Sequence, residues 1–140
     1  MSFLEDHLKW LNLHKEATLE PERPIVDPHH HFWPGEQHYL LEDLWLDTHS
    51  GHNIKKTVFI ECSQEFLKTG DTDFAPVGET IFVKKISDEA RKEKHKTQIE
   101  GIVGHVNLLI GPEKTREVLT SHLKEGGNLF KGIRHAGGWD

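Results

Sequence analysis

Cysteine is nearly absent from this sequence: Cys62 stands alone among 140 residues. A disulfide framework within the chain is therefore excluded, which fits a reducing compartment. No apolar run approaches the length needed to cross a membrane. The N-terminus shows no basic segment followed by an apolar one, so a secretory signal is not expected and a cytoplasmic location is. Basic charge is not in excess either. Lys and Arg number 17 against 23 Asp and Glu, a net charge of -6. Neither nucleic acid nor an anionic membrane is an expected partner for such a surface. The densest run of lysines, Lys92 to Lys96, is broken by Glu93 and His95 and reads as a solvated helix end. Internal repeats and low-complexity segments are also lacking.

What the chain does have is histidine, 12 residues of it, against an ordinary background of 35% hydrophobic and 29% charged residues. Its length suffices for one domain with a real core. Residues 1–23 read as an N-terminal helix and linker. Ser2 and Glu5 have capping-box spacing, Leu4, Leu8 and Leu11 share a face, and Pro21 and Pro24 end the helix. Residues 24–140 read as alternating strands and helices. Ile25-Val26-Asp27 is the first strand, and a short helix from Tyr39 to Thr48 turns Leu41, Leu44 and Trp45 inward. After a turn at Gly51 to Asn53, Lys56 to Cys62 gives the strongest strand signal, β-branched and apolar on both faces. A long polar loop from Ser63 to about Val77 follows, of a length often given to function. Glu79 to Lys94 is a helix carrying Phe82, Ile86 and Ala90 in line, and Glu100 to Val106 is the third strand. A last helix opens at Gly111-Pro112, buries Val118, Leu119 and Leu123, and stops at Gly126-Gly127 before a strand from Leu129 to Arg134. The order β-α-β-α-β-α-β with strands apolar on both faces implies a parallel α/β sheet.

The chemistry centres on Asp27-Pro28-His29-His30-His31. Residues i and i+2 of a strand share a face, roughly 6.6 to 7 Å apart. Asp27, His29 and His31 therefore share one face if the strand continues through them, with His30 turned away. Two imidazoles so placed can converge on one cation at about 2.0 to 2.1 Å. An isolated run of three histidines would read as a polar loop; here it directly follows an apolar strand, where a βα loop begins. The other strands also end in polar groups: Glu61 and Cys62 on the second, His105 and Asn107 on the third, Arg134 and His135 on the fourth. Active sites of parallel α/β sheets and barrels form at those carboxyl ends. Each residue alone has a plainer reading. Arg134 could be a surface cation, Glu61 could pair with a lysine, and His105 could be a satisfied core histidine. Cys62, with no activating partner in view, reads as a small buried residue rather than a nucleophile.

Pro24-Ile25-Val26-Asp27-Pro28-His29-His30-His31-Phe32-Trp33 resembles the opening HxH strand of the amidohydrolase superfamily, and most closely its amidohydrolase 2 branch, which includes sugar-acid and pyrone-dicarboxylate lactonases. Similar stretches follow in order: Tyr39 to Leu44, Gly51 to Asn53, Thr57 to Cys62, Pro76 to Thr80, Gly101 to His105, Lys131 to His135, and Trp139-Asp140. The resemblance implies a TIM-type β/α barrel, of which this chain supplies the first half with about four strands. It implies a hydrolase acting on a lactone, ester or amide of a small carboxylate-bearing substrate. His29 and His31 match the family's first-strand ligands for a divalent metal, zinc or else manganese. Arg134, His135 and Glu61 are then the catalytic candidates, with Arg134 and His105 as substrate-binding ones. A full barrel has eight strands in about 250 residues, and the family's further ligands have no positions in these 140 residues. Two other readings stay open. One is a catalytically incompetent half-barrel that binds metal weakly, or that forms a homo-oligomer or needs a C-terminal half because its edges are unpaired. The other is a compact α/β binding module.

Overall fold

The computed structural model describes residue 7 and residues 9–137. Ser2, Leu4, Glu5 and Leu8 of the expected N-terminal helix, and Trp139-Asp140, lie outside the described residues. Of that helix, Lys9 to Leu11 are helical and exposed.

The architecture is β1 (Pro24–His30), α1 (Leu41–Thr48), β2 (Asn53–Ile60), α2 (Val77–Ala90), β3 (Gln98–His105), α3 (Pro112–Gly126) and β4 (Phe130–Arg134). The strands form one sheet in the order β1-β2-β3-β4, and every pairing is parallel. The expected α/β class and element order are thus present. The sheet is compatible with half of a β/α barrel.

The three helices pack on one face of the sheet. Leu44 of α1 and Val83 of α2 join Phe59, Ile99, Ile102 and Phe130 in the main core, and Leu119 of α3 packs against it. A smaller cluster of Val77, Val106 and Val118 continues it. Burying one such side chain contributes about 1.5–3 kcal/mol, so this face holds the fold together. The opposite face is open. A Cβ on Gly101 would stand 3.1 Å from Val58 and 3.4 Å from Lys131, which places both side chains on that face. Val26, Lys56 and Lys131 are exposed on it.

Several boundaries differ from those the sequence implies. β2 starts three residues early because Pro24 pairs with Asn53, whose Nδ2 also donates to the Glu22 carbonyl. α2 starts at Val77, with Pro76 at its N-cap. It stops at Ala90, because Gln98 Nε2 donates to the carbonyls of Ala90, Glu93 and Lys96 and closes a turn there. The lysine-rich stretch lies in that turn. On α3, Leu123 is 55% exposed and His122 is fully buried instead. The apolar period misplaces the face by one residue, because His122 has polar partners inside.

Candidate functional site

β1 does not run straight into its histidines. Asp27 pairs with Thr57 and His30 with Phe59, so one extra residue is inserted between them. Pro28 cannot donate to the ladder, and Asp27 Oδ1 accepts the His29 N–H at 3.0 Å, which supplies the bulge. Thr57 and Phe59 are fully buried under the helices. Asp27 therefore faces the same side as His30, and its expected place beside His29 and His31 is corrected by the bulge. His30 does turn away from its neighbours, as the alternation predicts. It is 7% exposed, with its ring 4.8 Å from that of Phe32 and 5.8 Å from that of Phe59. Burial lowers its pKa to about 4.

His29 and His31 converge. Their Nε2 atoms lie 3.1 Å apart. His31 Nδ1 is 2.8 Å from the Ile60 carbonyl, so it carries the proton and leaves a lone pair on Nε2. Two nitrogens each about 2.0–2.1 Å from a tetrahedral zinc stand about 3.3–3.4 Å apart. The 3.1 Å contact, a hydrogen bond with His29 Nε2–H donating to His31 Nε2, is a few tenths of an ångström shorter than that spacing, and the Ile60 carbonyl fixes the His31 ring as a partner to its other nitrogen does in ligating histidines. Among the described residues no group of three or more His, Cys, Asp or Glu side chains is arranged to hold a metal. The residues present fit a partial ligand set.

The ends of β2 and β4 meet beside this pair. Arg134 Nε donates to Glu61 Oε1 at 2.6 Å, and its Nη2 donates to the Glu61 carbonyl at 2.6 Å. Glu61 is buried and the Arg134 side chain is 42% exposed. The arginine is thus anchored at one edge of its guanidinium, with the remaining N–H groups toward the cleft. The ends of β3 and β4 meet in the same way. His105 Nδ1 lies 3.1 Å from the Arg134 carbonyl, which makes it the protonated nitrogen and leaves Nε2 as an acceptor. His135 Nδ1 accepts the Leu108 N–H, so a neutral His135 presents Nε2–H as a donor. The two rings stand edge to face at 5.3 Å.

His31, Glu61, His105, Arg134 and His135 line one cleft of about 480 Å³, together with Trp33, Cys62 and Ser63. His29 reaches it through His31. Every sequence-predicted site residue is thus gathered at the carboxyl ends of the four strands. A second groove of about 490 Å³ lies at the opposite end of the sheet, where Lys96 Nζ sits 3.8 Å from the Trp45 ring centre. It holds none of those residues.

Cys62 is not a nucleophile in this setting. Burial, and then the Glu79 carboxylate beside it, push its thiol up to about 12. Glu79 itself was not singled out from the sequence. It is 1% exposed and its Oε1 accepts the N–H groups of Cys62 at 3.1 Å and Gln64 at 2.7 Å. Its only sequence signal is an acidic residue just after Pro76, in the first turn of the helix. No protein-family model, curated protein or solved structure matches this chain. No helix among the described residues is long and apolar enough to cross a membrane.

Proposed function

We propose that this chain carries the first-strand half of an amidohydrolase-type site, for a lactone, ester or amide of a small carboxylate-bearing compound. The observation that carries the reading is the convergence of His29 and His31 on one point, 3.1 Å between nitrogens, at the lip of a cleft that Arg134 lines. His29 and His31 would hold a divalent metal, zinc or manganese, whose chemistry is to acidify a bound water and polarise a carbonyl. The chain's own residues do the rest. Ile60 fixes His31 in the tautomer that leaves Nε2 free. Arg134, held flat by Glu61, offers paired N–H donors, the arrangement that suits a substrate carboxylate or a developing oxyanion. His105 presents an acceptor nitrogen and His135 a donor, so the far wall can hold a polar substrate in one orientation. Glu61 is in place to take a proton on the carboxylate oxygen that Arg134 leaves free.

Zinc titration by calorimetry tests this. His29→Ala and His31→Ala are each expected to weaken zinc binding at least about 10- to 100-fold, and His30→Phe to leave it unchanged. Equal affinities in all four proteins would defeat the reading.

The competing reading, a half-barrel that self-associates, is favoured by one observation. Among the described residues β1 and β4 pair on one side only, and Val26 on β1 is 56% exposed. Light scattering across a concentration series reads it: mass rising above 16.1 kDa with concentration is the outcome expected of association.

A further inference from the structure

The first turn of α2 is buried to a degree that the core does not require. Gly78, Glu79 and Thr80 are all buried, and the last two are 1% and 0% exposed. A helix start usually faces water, because its leading N–H groups need partners. Here polar side chains enter the interior instead, and each reaches a different strand end. Glu79 reaches the end of β2, where it accepts the N–H groups of Cys62 and Gln64. Thr80 Oγ1 lies 2.8 Å from His122 Nδ1, and His122 Nε2 lies 3.0 Å from the His105 carbonyl at the end of β3. Of the two neutral tautomers, only the one with the proton on Nε2 serves both contacts, with the Thr80 hydroxyl donating to Nδ1.

The segment that Glu79 grips is not relaxed backbone. Ser63 and Glu65 have φ of 62° and 51° without being glycine. A left-handed conformation is unfavourable for a side chain with a Cβ, so it persists only where its surroundings impose it. Glu79 also leaves Oε2 buried with no partner. An unpaired buried carboxylate oxygen forfeits its hydration without replacement. A packing residue at this position would avoid that cost.

We infer that Glu79 is a positioning residue: its carboxylate, gripping the backbone just beyond Glu61, sets the Glu61–Arg134 contact, while the adjacent Thr80 sets His105 through His122. One helical turn thereby registers two walls of the cleft against each other. The consequence for catalysis rests on the hydrolase reading; the geometry does not.

The test therefore reads geometry rather than turnover. Nuclear magnetic resonance follows amide exchange at Cys62 and Gln64 and the Nε–H signal of Arg134. In Glu79→Ala, exchange at those two amides is expected to rise at least tenfold and the Arg134 signal to be lost, with the α2 interior still protected. Glu79→Gln keeps an acceptor oxygen and is expected to restore both. Where Glu79→Ala does not fold, the second pair decides. Thr80→Val is expected to shift the His105 ring signals and Thr80→Ser to leave them in place. Unchanged exchange in Glu79→Ala, failure of Glu79→Gln to rescue, or equal His105 shifts in both Thr80 variants would overturn the inference. Zinc binding at His29 and His31 is expected to survive in every variant. Its absence from the wild type would count against the hydrolase reading and leave this one standing.

Discussion

Replacing Gly78 with alanine is expected to destabilise the fold by about 3 kcal/mol, the upper end of overpacking costs. The sign is opposite to the helical preference, which favours Ala over Gly by up to about 1 kcal/mol. The cause is backbone, not conformational freedom. A Cβ at this position would run into the Glu65 carbonyl and stand 2.6 Å from the Leu67 nitrogen. Neither can retreat readily. Leu67 N–H is committed to the Ala75 carbonyl at 2.9 Å, and Glu65 is already in the left-handed region. Urea unfolding of the variant reads the effect directly. A midpoint equal to or above that of the wild type would show that the loop and α2 are not packed as described.

Acid is expected to unfold the protein earlier than its carboxylates alone would require, and His30 is the main reason. Its pKa is 6.5 when free and about 4 in the fold, where burial opposes the charge. Between these values the unfolded chain binds the proton and the folded one does not, so stability falls as pH drops from 6.5 to about 4 and levels off below. The loss is about 3 kcal/mol, at 1.36 kcal/mol per unit. His122 is lowered by burial as well and acts in the same direction. Glu79 is raised by burial and acts in the opposite one, since the fold takes up that proton first on acidification. The difference between wild type and His30→Phe isolates the His30 share. The variant should lose about 3 kcal/mol less between those two pH values. Both ring nitrogens of His30 lack partners, so the phenyl ring removes a desolvation cost rather than a bond. Identical pH dependence in the two proteins would place the acid sensitivity elsewhere.

The strand order and the gathering of Glu61, His105, Arg134 and His135 were legible in the sequence. Strand signals in Lys56 to Cys62 and Glu100 to Val106 are strong, and a parallel sheet brings strand ends together by construction. Three features were not legible, each for a physical reason. The bulge after Asp27 depends on a side-chain bond to the His29 N–H and on pairing with Thr57 and Phe59, and alternation along one strand contains neither. The inward side of α3 runs through His122 rather than Leu123, because a hydroxyl from α2 and a carbonyl from β3 satisfy the imidazole. Hydropathy counts such a residue as polar. Glu79 escaped for the same reason, since its partners are backbone N–H groups some fifteen residues earlier in the chain.

The central question is whether His29 and His31 act as one ligand pair. X-ray absorption of the zinc-loaded chain measures that most directly. The expected spectrum shows two imidazole nitrogens at about 2.0–2.1 Å, with the imidazole signature reduced in His31→Ala and intact in His30→Phe. A thiolate sulfur shell at about 2.3 Å from Cys62, or an imidazole signature undiminished in His31→Ala, would contradict it.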